Sequence, residues 1–340
     1  MIQISKISTP SLEYTASWTA FNSHLQSSFI EKVSDFFLYF FHRMAMRCLM
    51  PSSQIPKEIL DYQKKIFSNW SHGLNFKSHL LHVKTPDGSL IHGYFLQQPH
   101  TLPSDPLVIF FQPNGGISTC KNFADVMEGS RTQNIRCNFI VFDSRGCGYS
   151  EGEATVAKDF ILDGDSIYQF AKQYLKVPPH QIHCMGFSMG GAVAAQVKAL
   201  HSDELGSLVI DRSFSTLKDA VLAHSVSRMH FTCRLISTIV IFLLNLLGWS
   251  TLDSEAALKK IRSRTLVIYH PKDGIICGNS QLSHHVSSFS NHITKLNLSR
   301  FRLVVDQGSD LHNLPLCSFQ NKDGQSATQK VINFLDPTFV

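Results

Sequence analysis

The stretch "HCMGFSMGGAVAA", residues 183–195, sets one serine, Ser188, between Gly186 and Gly190 in the pattern G-x-S-x-G. An apolar run precedes it and an alanine-rich, helix-forming run follows, so it reads as a strand turning sharply into a helix. A serine hydroxyl is a weak nucleophile at neutral pH. It needs exposure, a base within hydrogen-bond reach and donors for the oxyanion it generates. A sharp turn supplies exposure but crowds its neighbours; Gly186 and Gly190 remove that crowding, and Gly191 lets the helix pack closely. The N–H of Met189, at the helix N-terminus, points where an oxyanion would sit. The competing reading is a tight turn with an idle serine, and the strand–turn–helix setting argues against it.

The rest of the chain holds candidates for what that serine needs. "FFQPNGG" (110–116) follows an apolar strand, and its glycines permit close approach of backbone to a ligand. The N–H of Asn114 is the candidate second oxyanion donor, with an ordinary Gly-rich turn as the alternative. "FRLVVDQGSDLHNLP" (301–315) places His312 in a Gly/Asp/Asn/Pro-rich loop beyond an apolar strand at 301–305. "RTLVIYHPKDGII" (264–276) places Asp273 just past the preceding strand. The order Ser188, Asp273, His312 resembles that of the α/β-hydrolases, in which a serine, an orienting carboxylate and a histidine base follow one another along the chain. Asp211, ending a strand at 207–211, is a rival acid. Asp310 lies too near His312 in sequence to face the same ring nitrogen easily.

The surrounding texture sets the fold class. "FKSHLLHVK", the turn "TPDG" and "SLIHGYFLQQ" alternate as two strands of a hairpin or meander. Short apolar strands follow at 106–111, 137–142, 181–185, 207–211, 264–269 and 301–305, with helical patterns near 119–132, 155–176 and 189–201. Non-alternating strands separated by helices indicate an α/β architecture: a mostly parallel central sheet with helices on both faces. The stretch between the strands at 207–211 and 264–269 breaks this rhythm, and about 215–258 is expected to form a helical cap insert. Within it, 235–252 carries no charge and just reaches membrane-span length. A single crossing would divide two strands of one sheet between compartments, so a lid or buried helix is favoured over an interfacial helix or a span. Residues 28–50 place Phe29, Val33, Phe36, Phe40, Met44 and Cys48 at helical spacing, interrupted by charges. They read as an amphipathic helix in an N-terminal extension (1–75), packed on the main domain (76–340) or docked at a membrane surface.

The chain has 340 residues, 43% hydrophobic and 17% charged, which is globular composition. Its net charge of +5 is spread without a basic block, so no nucleic-acid partner is expected. The eight cysteines form no C-x-x-C or zinc-spaced cluster and are expected to be reduced. No signal peptide is legible at the N-terminus, and the expected location is cytoplasmic, with membrane association through 28–50 and 235–252 as an added possibility. Cys147 and Cys184 flank the site in sequence and are expected to be inert core thiols.

Taken together, "FDSRGCGYSEG" (142–152), "GFSMGG" (186–191), "HPKDGII" (270–276) and "DLHN" (310–313) resemble the successive signatures of the α/β-hydrolase superfamily. The similarity is to its serine-hydrolase branch of Bem46-like and ABHD proteins, over about residues 76–338. The resemblance implies a Ser188/Asp273/His312 triad, an oxyanion hole from the Met189 and Asn114 backbone, and an Asp143–Arg145 arrangement that fixes the loop beside the elbow. One motif departs from that branch: Gln112-Pro113 stands where His-Gly commonly precedes the Asn. Proline lacks an N–H, but the donor is the next residue. The N-terminal extension and apolar cap also resemble the chlamydial CHLPS-protein family, a resemblance that brings no defined activity.

The expected activity is cleavage of a carboxylic ester or thioester, of an acyl or lipid-like small molecule, needing neither cofactor nor metal. The alternatives are acyl transfer or peptide hydrolysis with the same triad, or a membrane-associated interaction protein whose site is idle.

Overall fold

The computed structural model describes residues 46–335 except 48, 121, 229–240, 247, 287–291 and 305–309. The expected amphipathic helix at 28–50 therefore lies outside the described residues except for its last few, where Met46 and Met50 are buried in the core.

Among the described residues eight strands form one sheet: β1 (Lys77–Lys84), β2 (Leu90–Gln97), β3 (Leu107–Phe111), β4 (Asn138–Phe142), β5 (Ile182–Phe187), β6 (Leu208–Asp211), β7 (Thr265–Tyr269) and β8 (Ile293–Asn297). Their spatial order is β1-β2-β4-β3-β5-β6-β7-β8. The pairs β1·β2 and β2·β4 are antiparallel; every pairing from β4 through β3 to β8 is parallel. Parallel strands need helical crossovers that cover both faces, which explains why β3 to β6 read as unbroken apolar runs.

The side-chain alternation of the strands divides the core in two. On one face Ile109, Phe111, Ile140, Cys184 and Ile210 pack with α3 (Ala157–Gln173) and α4 (Met189–Leu200). On the other, Val108, Phe110, Phe139, Met185 and Phe187 pack with α1 (Lys57–Gly73), α2 (Ala124–Thr132) and α8 (Ala327–Leu335). Helix α1 belongs to the stretch assigned to the N-terminal extension, yet it is docked on this body. Its Phe67 is buried with its ring 5.0 Å from Tyr94, and Trp70 Nε1 donates to Glu128 at 2.7 Å. Each fully buried aromatic or aliphatic side chain of this kind stabilises the fold by about 1.5–3 kcal/mol.

Between β6 and β7 the chain makes α5 (Leu217–Arg228), a short helical stretch at 241–246 and α6 (Ser254–Leu258). The base of this excursion is closed by hydrogen bonds from Leu217 N to Leu252 O (3.1 Å) and from Ser254 N to Ser215 O (2.8 Å). Trp249, fully buried against Phe160 of α3, pins it to the body. Among the described residues no helix is long and apolar enough to cross a membrane.

The last strand of the sheet differs from expectation. It is β8, "ITKLN", whereas the described residues of the apolar stretch 301–305 contribute β9 (Arg302–Leu303), paired with β10 (Phe319–Gln320) in a separate two-stranded ribbon. An edge strand has one neighbour only, and the exposed Thr294 and Lys295 and the half-buried Asn297 hide β8 from a search for apolar runs. Helix α7 (Leu282–His285) precedes it.

Candidate active site

Strand β3 sits between β4 and β5, so the chain order reverses there, and the C-terminal ends of β3 and β5 open the crevice in which ligands of α/β sheets bind. Ser188 occupies the turn from β5 into α4 with φ +53° and ψ −123°, a conformation that costs a non-glycine residue about 1–3 kcal/mol. Its N–H donates to the Asp211 carbonyl at 2.9 Å, which anchors the strained turn to β6. Gly186 and Gly190 are required by contact: a Cβ on Gly186 would lie 2.2 Å from the Gly190 carbonyl oxygen, and one on Gly190 would meet the end of β3. Gly191 lies against Ser213, 2.8 Å from where its own Cβ would be.

Three residues expected to work together do meet. His312 Nε2 lies 3.0 Å from Ser188 Oγ, and His312 Nδ1 lies 2.8 Å from Asp273 Oδ2. A carboxylate only accepts, so Nδ1 carries the proton and Nε2 of the neutral ring is free to accept the Ser188 hydroxyl proton. The second oxygen of Asp273 accepts from the N–H groups of Ile275 (2.8 Å) and Ile276 (2.9 Å), which leaves Oδ2 aimed at the ring. Ser188, Asp273 and His312 are 7%, 3% and 4% exposed, so bulk water is held off this chain of bonds.

The rival acids are engaged elsewhere. Both Asp211 oxygens accept from Arg212 at 2.8 Å. Asp310 accepts from the His312 and Asn313 N–H groups of its own turn and from the Asn313 side chain.

A cavity of about 570 Å³ opens on Ser188 and His312. Asn114 and Met189 border it, as do the apolar Phe214, Leu217, Val221 and Ile275. Among the described residues no Asp, Glu, Lys or Arg side chain lines it. Cys120 also borders the cavity, and burial pushes its thiol up from the usual range, so it stays protonated.

Two contributors come from chain that sequence reasoning set aside as extension. Leu49 lines the cavity, and Ser52 holds the Asn114 carbonyl through its hydroxyl (2.7 Å) and its N–H (3.3 Å). Neither carries a local signal, because the contacts span more than sixty residues of sequence. Asp143 and Arg145, expected to act on one another, do not pair. Asp143 accepts from the Ser118 N–H (2.5 Å) and the Tyr149 N–H (3.1 Å), with His92 Nδ1 at 3.5 Å. Arg145 instead binds Asp163 (2.8 Å) and Asp87 (2.5 Å). Asp143 thus steadies the loop after β3, while Arg145 fastens its own turn to α3.

Sequence and structure comparisons agree with this fold. Residues 106–228 match a family model described as the alpha/beta hydrolase fold. The chain is 27% identical over 141 residues to the alpha/beta hydrolase domain-containing protein WAV2 of Arabidopsis thaliana, covering 40% of this chain and 43% of that protein. It is 23% identical over 149 residues to protein bem46 of Schizosaccharomyces pombe, covering 43% and 48%. The match thus spans less than half the length of either relative. Among solved structures, the Pyrococcus furiosus esterase PF2001 superposes with a TM-score of 0.51 at 18% identity, covering 66% of this chain and 83% of the esterase. Est1E of Butyrivibrio proteoclasticus with bound ferulic acid gives 0.52 at 16% identity, covering 64% and 88%. The chain has the α/β-hydrolase fold and is similar in sequence to the Bem46-like branch of the α/β-hydrolase superfamily.

Proposed function

We propose that this protein is a serine hydrolase that cleaves the carboxylic ester, or thioester, of an apolar acyl group. His312 Nε2 takes the Ser188 hydroxyl proton as Oγ attacks the acyl carbonyl carbon. Asp273 holds the ring and stabilises the imidazolium that forms. The N–H groups of Met189 and Asn114 receive the oxyanion. His312 then returns the proton to the leaving alcohol or thiol as that bond breaks, leaving an acyl ester on Ser188. Water, deprotonated by the same ring, releases the acid and restores the serine. The observation that carries the reading is the unbroken path of hydrogen bonds from Asp273 through His312 to a strained serine at the mouth of a cavity. The apolar side chains of Phe214, Leu217 and Val221 on its lining fit an acyl chain.

The test is labelling by a fluorophosphonate probe together with hydrolysis of p-nitrophenyl acyl esters. Wild type is expected to label and to turn over, and Ser188→Ala to do neither. Folded wild type that is never labelled and never hydrolyses an ester overturns the proposal.

A further inference from the structure

The residue after β6 is an arginine that the reaction as described does not use. Arg212 has φ +45°, and its N–H donates to the Ile268 carbonyl of β7 at 2.9 Å. Its guanidinium is buried beside the site. Nε and Nη2 donate to the two oxygens of Asp211, both at 2.8 Å. Nη1 reaches the loop beyond β9 and donates to two carbonyls there, Leu311 O at 3.0 Å and Leu314 O at 2.6 Å. Those carbonyls bracket His312. The guanidinium also lies 4.9 Å from the centre of the Phe187 ring, and that ring lies 5.0 Å from the imidazole of His312.

We propose that Arg212, charge-balanced by Asp211, is the positioning residue for His312: it grips the loop backbone on both sides of the histidine and supports the ring through Phe187. Apart from the bonds of the imidazole itself, the turn's N–H groups of His312 and Asn313 donate to Asp310, and these internal bonds fix its shape rather than its place on the body. The imidazole must face Ser188 and Asp273 at once, and a displacement of about 1 Å at such a site costs on the order of 100-fold in rate. A planar fork with five donors can hold a carboxylate on one edge and two carbonyls on the other, which a lysine ammonium cannot reproduce. The burial has a matching logic. A guanidinium is expensive to desolvate alone, and Asp211 on the adjacent residue supplies the bidentate partner that makes burial tolerable. Asp211, legible in sequence as a rival acid, thereby acts on the histidine at one remove.

This inference rests on the serine-hydrolase reading, and the experiment separates the two. Arg212→Lys keeps the charge opposite Asp211; a double variant, Asp211→Asn with Arg212→Gln, removes both charges so that neither is left unpaired. For each folded protein the thermal midpoint, the maximal fluorophosphonate inactivation rate and the probe's apparent affinity are measured. The low-field proton resonance of the His312–Asp273 hydrogen bond is recorded as well. The expected result for Arg212→Lys is an inactivation rate reduced about 10- to 100-fold, unchanged probe affinity, and a weakened or exchange-broadened resonance. The double variant is expected to behave alike and decides the matter should the lysine variant not fold. A folded variant that keeps the wild-type rate and resonance overturns the role of Arg212. Wild type that never reacts while its resonance is lost in the Arg212 variants overturns the hydrolase reading and leaves the positioning role standing.

Discussion

Gly190 and Phe111 approach so closely that a methyl group on the first would sit 2.1 Å from the carbonyl oxygen of the second. The same methyl would lie 2.5 Å from the Gln112 carbonyl oxygen, so backbone rather than a movable side chain blocks it on two sides. This contact draws the first turn of α4 against the loop after β3, and with it Met189 towards Asn114. Gly190→Ala must therefore push helix and strand apart. The expected outcome is a loss of roughly 3 kcal/mol in urea unfolding, the upper end for overpacking, with esterase activity near background in whatever folds. A stable, active Gly190→Ala protein would remove the elbow's contact with β3 from the account.

Ser188 stores backbone strain at the proposed nucleophile. Held at φ +53°, it has a backbone that glycine adopts at little cost. Ser188→Gly should therefore abolish labelling and turnover while raising stability by about 1 kcal/mol, the relieved strain less the entropy that glycine adds to the unfolded chain. The measurement is the urea midpoint of the variant against wild type. A variant less stable than wild type would show that the hydroxyl's bond to His312 outweighs the strain.

How much of this was legible in the sequence depended on range. The elbow is local: Gly186, Ser188, Gly190 and Gly191 lie within six residues, and the steric demands that call for glycine act among immediate neighbours. The strands β3 to β7 were legible because both faces are buried, so each reads as an apolar run. β8 was not, because an edge strand half-exposed to water needs no such run, and the more apolar 301–305 drew attention in its place. Asp273 and His312 were reachable through their position after strands, even though the strand assumed to precede His312 was the wrong one. Ser52, Leu49 and Arg212 were beyond reach. Their roles arise from contacts closed by the fold across sixty to a hundred residues, and nothing beside them in the chain records the partner. Arg212 left one faint trace, an Asp-Arg pair at the end of a fully buried strand.

Asp273 and Asp211 make the two assignments of the acid distinguishable. Asp273→Asn replaces an acceptor-only group with one that can donate to Nδ1, which favours the tautomer whose Nε2 carries the proton and cannot take one from Ser188. A fall in kcat of about 10³- to 10⁴-fold with KM little changed is expected. Asp211→Asn weakens the hold on Arg212 without touching the ring, so its loss of kcat should be far smaller and accompanied by lower stability. The reverse ranking, measured with a p-nitrophenyl ester, would transfer the acid to Asp211.

Ser52 tests whether the chain before α1 is part of the site. Its hydroxyl and N–H both end on the Asn114 carbonyl, so they fix the peptide whose neighbour carries the proposed second oxyanion donor. Ser52→Ala removes the hydroxyl bond and retains the other. The expected cost is about 1 kcal/mol of stability and a reduction of roughly tenfold in kcat with little change in KM, because an oxyanion donor acts in the transition state. Unaltered kcat would mean that the loop holds Asn114 in place unaided.

The buried thiols give the alkaline limit of the fold. Burial pushes Cys147 and Cys184 up from the ordinary 9.0 to about 12 in each case. At pH 8 roughly one such thiol in ten thousand is ionised, so neither should react with iodoacetamide in the folded protein, whereas the exposed Cys317 should. The sign of the stability effect follows from proton counts. Between pH 9 and 12 the folded chain keeps protons that the unfolded chain has released, so the contribution of these thiols is complete below pH 9 and is lost as pH rises towards 12. Wild type should therefore lose more stability between pH 8 and pH 11 than a Cys147→Ala/Cys184→Ala variant, in which the other alkaline groups titrate unchanged. Peptide mapping of alkylated protein and urea midpoints at the two pH values check the pair of expectations. Equal slopes for the two proteins, or early labelling of Cys184, would show that these thiols are not held protonated by the core.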